Sequence, residues 1–369
     1  MSTNLTDIIY FETCFLKFLL RECNLEDPSL KFLVKKNGVK TMGQWNAGSL
    51  LALSGKYWHT CTLHAGVKLG IFSQIDEDQV SAHELAEQIG VDERGVAALL
   101  NALSAMGLLV KTGSRYANTP ESWDLLVRHS PHYIGYMIMH HHHLVEPWSR
   151  LDEVVRLGHS LSGKVVHDDD SRESFLMGMF NMAMAIAPQV SREIDLKGKT
   201  KFLDLGGGPG TYSIHFCQAN PELNATVADL STTRPFAEKT IARFDLSNRI
   251  EFMPCDYLND AIEGIYDVAW LSHILHGEGP DECEMILQKA VSALVEGGTL
   301  FVHEFILNNT SDGPLFPALF YLNMLINTDK GRSYTERGLY EMMEEAGLHH
   351  IERLPFKGPT DSGIMVGTK

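Results

Sequence analysis

The sequence has few of the features that mark disulfide-rich, membrane or nucleic-acid-binding proteins. Its 369 residues include only six cysteines, none in a C-x-x-C pair, which indicates neither a disulfide framework nor a cysteine-rich zinc site. No apolar run reaches the roughly 20 residues that a membrane-spanning helix needs. Lysine and arginine number 31 against 47 acidic residues, for a formal charge of −16, and this balance disfavours nucleic acid and anionic membranes as partners.

The amino-terminal segment lacks the pattern of a secretory signal. Asp7 and Glu12 interrupt its apolar part, and no basic residue precedes them, whereas a signal peptide begins with positive charge and continues with an apolar stretch. Since the cysteines are also expected to be reduced, we predict a cytoplasmic protein. A chain of this length can form two domains with substantial cores.

The chain is organised around a glycine-rich stretch at residues 200–216. A short apolar run at 202–205 precedes the glycines, and apolar residues at near-helical spacing follow them, which predicts a strand, a turn and a helix. This is the first unit of a doubly wound α/β sheet, in which ligands bind at the carboxyl ends of strands. Glycines permit positive φ and let a ligand contact the backbone directly. The glycines of this turn are Gly206, Gly207, Gly208 and Gly210.

The loop differs from the dinucleotide fingerprint G-x-G-x-x-G because Thr211 stands where the third glycine would pack over a pyrophosphate. Asp204 precedes the glycines, and a carboxylate there suits an amino group better than a phosphate. We therefore favour a zwitterionic nucleotide-like ligand over a nicotinamide or a flavin. Asp229, nineteen residues after Gly210, stands where an acid binds ribose hydroxyls. Asp256 follows a third apolar run, within reach of an adenine amino group.

Four segments in this order resemble the S-adenosylmethionine-dependent O-methyltransferases of the plant caffeate and animal acetylserotonin type. They are DLGGGPG at 204–210, VADL at 227–230, CDY at 255–257 and ILH at 274–276. The resemblance covers most of the chain and implies a Rossmann-like catalytic domain, a winged-helix dimerisation domain, S-adenosylmethionine as cofactor, and a homodimer acting on a small-molecule acceptor. The cofactor-binding residues that it implies are Asp204, Gly206, Gly207, Gly208, Gly210, Asp229, Leu230, Asp256, Tyr257 and Ser272.

The patterns along the chain predict four regions. An apolar helix near the amino terminus needs a surface to cover, either on its own domain or on a second subunit. The regions are a helical extension at 1–45, a winged-helix-like dimerisation domain at 46–130, a helical connector at 131–199 that contributes to the acceptor pocket, and the Rossmann-like catalytic domain at 200–369.

In the region at 46–130 we predict one long helix or two over 50–75, two further helices, and a small hairpin around 111–114. This helix-turn-helix and wing outline invites a DNA-binding interpretation. Ser81 and Glu84 fit a capping box at the start of one helix. The next helix begins with Asp92, Glu93 and a single Arg94, followed by alanines and leucines. Such a surface repels phosphate and favours another apolar face, so we predict a homodimer interface.

The connector contains a run of histidines at 140–143. Consecutive histidines point around a helix, so few of them can share one metal ion. We therefore predict no metal site and expect one or two of these side chains, His142 among them, to line a pocket.

Residues 175–186 are rich in methionine, a side chain that adapts to irregular cores. Plain core packing is one interpretation. The other is a wall of the acceptor pocket, because Phe180 and Met184 resemble the family's segment that sandwiches an aromatic acceptor. An amphipathic helix predicted over 315–326, which carries Asn323 and Met324, is also expected to lie over the site.

His276 follows the fourth predicted strand, where the family carries its general base. A hydroxyl acceptor must lose a proton, and a neutral imidazole suits that task. Glu304 matches the acid beside the family's histidine and would orient it. A histidine with a purely structural role is the alternative.

Two departures from the family pattern keep other functions open. Relatives read His-Asp-Trp where this chain has His276, Gly277 and Glu278, and a second family acid falls near Ser333. We predict O-methylation of a small hydroxylated acceptor, aromatic or from secondary metabolism. The alternatives are S-methylation of a small sulfur-containing acid, whose sulfur needs no base, and a cofactor-binding relative with a different activity.

Overall fold

The computed structural model describes residues 45–161 and 169–369. The chain forms two compact units that divide between His142 and His143. No helix of the described part is long and apolar enough to cross a lipid bilayer. The predicted helical extension at 1–45 lies almost entirely outside the described residues.

The described part of the first unit, from residue 45 onward, is helical apart from one small antiparallel sheet, whose strands lie in the order β1-β3-β2. The hairpin predicted from the sequence is confirmed as β2 and β3. The elements are α1 (Ala47–Ser54), α2 (Tyr57–Lys68), α3 (Ile71–Ile75), β1 (Val80–Ser81), α4 (Ala82–Ile89), α5 (Glu93–Ala105), β2 (Leu109–Thr112), β3 (Arg115–Asn118), α6 (Pro120–Leu126) and α7 (Gly135–Trp148), whose last residues belong to the second unit.

Local sequence signals set the helix ends of this unit. The predicted capping box at α4 is confirmed, because Ser81 Oγ accepts from the Glu84 amide at 3.2 Å and Glu84 Oε2 accepts from the Ser81 amide at 2.7 Å. The prediction of one or two helices over 50–75 is wrong. Three helices occupy this stretch, because the chain turns at Gly55 and again at Gly70, which has a φ of 68°.

The second unit alternates helices and strands. Its elements are α8 (Leu151–Leu157), α9 (Asp169–Met184), α10 (Ala187–Glu193), β4 (Lys201–Leu205), α11 (Thr211–Ala219), β5 (Asn224–Asp229), α12 (Arg234–Arg243), β6 (Ile250–Pro254), β7 (Tyr266–Ser272), α13 (Pro280–Ser292), β8 (Leu294–Phe305), α14 (Leu315–Asn327), α15 (Glu336–Glu345), β9 (His349–Arg353) and β10 (Ser362–Thr368), with short 3₁₀ turns at Ser231–Thr233 and Leu275–Gly277.

The strands of this unit form one sheet in the order β6-β5-β4-β7-β8-β10-β9. The first five are parallel, and β10 runs antiparallel to both β8 and β9. The chain continues from β4 to β5 on one side and later returns to β7 on the other. The carboxyl ends of β4, β5 and β7 therefore meet at a topological switch point, where open α/β sheets bind their ligands.

The central strands are buried on both faces. Phe202, Leu203 and Leu205 of β4 and Trp270 of β7 are fully enclosed, as expected of parallel strands that helices cover on both sides. Asp204 lies within this apolar run and is itself buried. A carboxylate in such a position needs a specific reason, since burying a charge is costly.

One strand differs from its predicted bounds. The apolar spacing at 281–294 predicts a helix, the pair Gly297 and Gly298 predicts its end, and the apolar run at 299–306 predicts a strand. Instead α13 ends at Ser292, and β8 already begins at Leu294. Gly297 adopts a φ of 74° inside this strand, so it serves as a backbone irregularity and not as a helix stop.

Candidate active site

The turn between β4 and α11 is built by glycines in the left-handed region. Gly206, Gly208 and Gly210 have φ values of 68°, 54° and 78°, which other residues rarely adopt. A Cβ atom on Gly208 would meet no atom within 4 Å. The backbone of this turn is therefore open on one side, so that a ligand can lie directly against it.

Asp204 organises this turn from below. Its Oδ2 accepts from the Ser213 amide at 3.2 Å and from Ser213 Oγ at 2.8 Å. A Cβ atom on Gly207 would lie 2.6 Å from Asp204 Cγ, so the carboxylate also requires glycine at that position. Burial raises the pKa of Asp204 to about 7, although the bonds from Ser213 oppose this. Its Oδ1 has no hydrogen-bond partner, and its contact with a ligand amino group stays a prediction.

Asp229 ends β5 beside the same turn. Its Oδ2 accepts from the Gly208 amide at 2.9 Å, while its Oδ1 accepts from the Leu230 amide at 2.7 Å and from Thr233 Oγ1 at 2.9 Å. Burial raises the pKa of Asp229, and these hydrogen bonds lower it in part. Oδ2 accepts only one of these bonds and keeps a second lone pair, so a ribose hydroxyl can still bind there. Leu230 is half exposed next to it.

Asp256 and Tyr257 follow β6 and line the next part of the same edge. Asp256 accepts from the Leu258 amide at 3.0 Å and from Asn259 Nδ2 at 2.8 Å. Tyr257 donates its hydroxyl to Glu278 Oε1 at 3.3 Å. The Tyr257 ring lies 3.8 Å from the position that a Cβ on Gly206 would take. Tyr257 thus stands between the glycine turn and the turn that carries His276.

His276 lies in the 3₁₀ turn that follows β7. Its Nδ1 lies 2.8 Å from Glu304 Oε2, and its amide donates to Glu304 Oε1 at 3.3 Å. Its carbonyl accepts from the Arg332 amide at 2.8 Å. Two strands that are adjacent in the sheet, β7 and β8, therefore place the predicted base and the predicted acid in direct contact.

Glu304 is buried in β8. Burial alone would raise the pKa of Glu304, but the imidazoles of His276 and His273 hold it well below its usual range. The side chain therefore stays a carboxylate and accepts a proton donor at His276 Nδ1. Nε2 of the neutral imidazole then keeps its lone pair, as a general base requires.

His273 is a site residue that the sequence reasoning missed. Its Nδ1 lies 3.7 Å from Glu304 Oε2, and its ring packs on the Phe305 ring at 4.2 Å between centroids. Burial lowers the pKa of His273, and Glu304 partly opposes this. The signal in the sequence is the H-x-x-H spacing directly after β7, which puts two imidazoles on one turn.

Ser272, predicted to bind the cofactor, ends β7. Its Oγ lies 3.0 Å from His303 Nδ1, and the Tyr212 hydroxyl lies 3.2 Å from the same nitrogen. The other nitrogen of His303 lies 3.0 Å from Ser362 Oγ. Burial holds the pKa of His303 well below its usual value, so this neutral imidazole links the end of β7 to β8 and β10. Cofactor binding by Ser272 stays a prediction.

Two phenylalanine rings contact His276, and a third packs on both of them. The Phe320 ring meets the imidazole edge-on at 4.8 Å, and the Phe305 ring stacks on it at 6.0 Å. Phe316 contacts both Phe305 and Phe320, at 4.8 Å and 5.9 Å. The sequence reasoning did not single out these rings. The signal was the i, i+4 spacing of Phe316 and Phe320 on a helix already predicted to lie over the site.

The predicted acceptor residues of α14 lie on that helix, beyond Phe320. Asn323 Oδ1 accepts from Trp148 Nε1 at 2.8 Å, and Met324 is buried. Ser333, which stands where the family has a second acid, is buried and donates to the Pro317 carbonyl at 2.8 Å. It therefore holds the start of α14 in place.

The other predicted acceptor residues lie in three different surroundings. Phe180 is buried in α9, and Met184 Sδ lies 3.3 Å from His215 Nε2 on α11. His142 belongs to the first unit, where its Nε2 lies 3.0 Å from Lys68 Nζ. A role of these three residues in acceptor binding stays a prediction.

Comparison with known proteins gives the family. The model of an O-methyltransferase domain matches residues 153–349, and that of an O-methyltransferase dimerisation domain matches residues 51–128. The chain is 32% identical to a 3-hydroxy-5-methyl-1-naphthoate 3-O-methyltransferase of Streptomyces sahachiroi, over 87% of this chain and 94% of that protein.

Solved structures share the fold. An O-methyltransferase family protein from Burkholderia thailandensis is 28% identical and superimposes with a TM-score of 0.79, covering 88% of this chain and 98% of that one. PigF with SAH gives a TM-score of 0.81 at 24% identity, over 88% of this chain and 100% of that one.

The residues at the sheet edge fit the cofactor of this family. Asp229 ends β5, Asp256 follows β6, and Asp204 lies under a glycine turn whose backbone is open at Gly208. S-adenosylmethionine carries the amino group, ribose hydroxyls and adenine that such an edge can bind. The chain belongs to the S-adenosylmethionine-dependent O-methyltransferases with an amino-terminal dimerisation domain.

Proposed function

We propose that this enzyme methylates a hydroxyl group of a small aromatic acceptor, with His276 as the general base. The observation that carries the proposal is the 2.8 Å contact between His276 Nδ1 and the buried carboxylate of Glu304. A base oriented by an ionised acid is the arrangement that proton abstraction from a hydroxyl needs.

The side chains around His276 have different roles in the proposed reaction. S-adenosylmethionine, when bound, supplies the electrophilic methyl group. Glu304 holds His276 in the tautomer that leaves Nε2 free, and it stabilises the imidazolium that forms when His276 takes the acceptor's proton. Phe305 and Phe320 exclude water beside the imidazole. Alignment of the acceptor oxygen with the methyl group supplies much of the remaining rate acceleration.

The surroundings of His276 support an aromatic acceptor. Phe305, Phe316 and Phe320 present ring faces and edges with centroids 4.6–5.9 Å apart, and planar rings pack favourably in such arrangements. The Streptomyces relative named for 3-O-methylation acts on a hydroxylated naphthoate. The intact pair of His276 and Glu304 favours oxygen over sulfur as the acceptor atom, since a sulfur nucleophile needs no base. We propose that Asn323 and Met324, which lie on the same helix as Phe320, also line the acceptor pocket.

The direct test is an acceptor panel. The enzyme is incubated with labelled S-adenosylmethionine and matched phenols, hydroxynaphthoates, aliphatic hydroxy acids and thioethers, and the products are analysed by mass spectrometry. We expect a hydroxylated aromatic to gain one methyl group on oxygen. Methylation confined to a thioether or an aliphatic acid would contradict the proposal.

We also propose a cytoplasmic homodimer, formed through the dimerisation domain. Residues of α1 and α2 leave large apolar side chains exposed, among them Leu51 at 73% and Trp58 at 67%. Contiguous apolar surface of this kind marks an interaction site. The described cysteines Cys61, Cys217, Cys255 and Cys283 are free thiols, which suits a reducing compartment.

The dimer is tested by placing charge on this face. The double variant Leu51→Asp with Trp58→Asp should reduce the mass in light scattering from twice the chain mass to the 41.2 kDa of one chain, because unpaired buried carboxylates oppose association. Ile265→Asp is the matched control, since Ile265 is also apolar and exposed but lies in the second unit. A wild-type protein that is already a monomer at micromolar concentration would exclude the homodimer.

A further inference from the structure

We propose that His273, His276 and Glu304 also form a binding site for a zinc ion, and that zinc bound there switches off the general base. The spacing of cysteines and histidines along the sequence predicted no metal site. The three side chains come from two elements, the turn after β7 and strand β8, and only the fold brings them together. The inhibitory part of this inference rests on the proposed role of His276.

The distances suit a small cation. One donor atom from each side chain lies within 4.8 Å of the other two. The His273 Nδ1 to Glu304 Oε2 distance is 3.7 Å, and the His276 Nδ1 to Glu304 Oε2 distance is 2.8 Å. Ligands at about 2.0–2.2 Å from a tetrahedral zinc ion lie roughly 3.4 Å apart. Small rotations of the three side chains are therefore enough to admit the ion.

The chemistry of the donors points to zinc. Two imidazoles and one carboxylate are a ligand set that zinc uses in sites with an open fourth position. Each imidazole offers one nitrogen as a ligand atom, and the carboxylate offers one oxygen. Magnesium and calcium prefer oxygen ligands, so these hard cations should not compete.

The environment of His273 supports a metal ion independently of the distances between the three side chains. Its Nδ1 is buried without a hydrogen-bond partner, which is uncommon for a polar atom in a protein interior. Its backbone φ is 58°, a conformation that a residue other than glycine rarely holds. The side chain thus lies beside Glu304 Oε2 in a strained backbone conformation, although no hydrogen bond to its Nδ1 offsets that strain. A cation shared with Glu304 and His276 accounts for that nitrogen.

Zinc at His276 Nδ1 would reverse the role of the imidazole. Without metal, Nδ1 carries the proton that faces Glu304, and Nε2 keeps the lone pair. With zinc on Nδ1, the neutral ring must carry its proton on Nε2. Nε2, which would otherwise take the proton of the substrate hydroxyl, is then itself protonated, so methyl transfer to a hydroxyl stops. Asp229 and Gly208, which are predicted to hold the cofactor, are not affected.

The test measures metal binding separately from activity. Metal-free protein, purified without a polyhistidine tag, is titrated with zinc chloride in a calorimeter, and with cobalt chloride while the visible absorption of tetrahedral Co²⁺ is recorded. The variant with alanine at 140–143 removes the histidine run as an adventitious site. We expect one strong site per chain in that variant.

His273→Asn is the decisive substitution, because asparagine tolerates a positive φ but is a poor zinc ligand. It should weaken zinc binding by at least about tenfold, since even loss of an outer-shell partner has an effect of that size. Calorimetry with S-adenosylhomocysteine verifies that the variant is folded, and Glu304→Gln gives a second test of the ligand set. Equal zinc affinity in His273→Asn, or no binding in the variant without the histidine run, would overturn the site.

The inhibition has its own readout. Relative to the metal-free form of each protein, zinc should lower kcat with the acceptor in the wild type and lower it much less in His273→Asn. The affinity for S-adenosylmethionine should stay unchanged, and a chelator should restore the rate. Zinc that binds without lowering kcat would overturn the switch. Failure of the general base is distinguishable, because it would show in metal-free His276→Ala protein, whatever the zinc titration gives.

Discussion

His276→Ala should lower kcat by about 10²–10⁴-fold, the range that loss of a general base produces. Alanine cannot take the proton of a hydroxyl acceptor, so the acceptor would have to react in its poorly nucleophilic neutral form. The affinity for S-adenosylmethionine should stay nearly unchanged, since among the described residues no hydrogen bond joins the imidazole to Asp229 or to the glycine turn. Steady-state kinetics and cofactor calorimetry on the same preparation give both quantities.

Two further variants sharpen this prediction. Glu304→Gln keeps the size of the side chain but loses the charge that orients His276, and we expect it to reduce kcat by less than His276→Ala. His83→Ala, an exposed histidine of the first unit, should have wild-type activity. A His276→Ala enzyme that methylates its acceptor at nearly the wild-type rate would end the assignment of the base and leave proximity as the main source of rate acceleration.

Asp229→Ala should weaken cofactor binding by more than about tenfold. A hydrogen bond to a charged group contributes roughly 1.5–3 kcal/mol, and Asp229 is placed to accept from the ribose hydroxyls. The substitution also removes the acceptor of the Gly208 amide, which loosens the turn against which the cofactor lies. Calorimetric titration with S-adenosylmethionine measures the change.

Matched variants bear on the two contributions. Asp229→Asn keeps the size of the side chain and one oxygen but removes the charge, and its NH2 group must replace the acceptor of either the Gly208 amide or the Leu230 amide. It therefore tests the charge together with one of these bonds. Thr233→Val removes one bond to Asp229 Oδ1 without touching the predicted ligand contact, and we expect it to change the affinity little. If Asp229→Ala binds the cofactor as tightly as the wild type, Asp229 does not hold the ribose.

The positions of the glycine turn and of the acid beside it could be predicted from the sequence because their signals are local. The glycines at 206–210 and the acid at the end of β5 lie within or next to single strand–turn units, and short-range geometry determines where they go. The capping box of Ser81 and Glu84 was predictable for the same reason. In each case the residues that interact are only a few positions apart, or follow neighbouring parallel strands.

The acceptor half was less predictable because its contacts join distant elements. The sequence identified His276 and Glu304 through a family resemblance, but it did not show that His273 shares the same carboxylate. Phe305 and Phe320 meet over His276 only because α14 packs beside β8. The sequence also did not show that the Asp204 carboxylate accepts hydrogen bonds from Ser213. The identity of a residue does not tell which partner its side chain will contact in the fold.

The pH dependence of a single turnover tests the central claim most directly. Methyl transfer to a phenolic acceptor is followed in preformed enzyme–cofactor complex, with wild type and His276→Ala compared across the acid range. Glu304 stays ionised, because its pKa is held well below the usual range, and Asp204, whose pKa burial raises to about 7, is present in both enzymes. A fall in rate that the wild type shows and His276→Ala lacks therefore reports the imidazole. The account predicts that the wild-type rate falls more steeply as pH is lowered than the slow rate of His276→Ala. A wild-type rate that is independent of pH, equalled by His276→Ala, would contradict it.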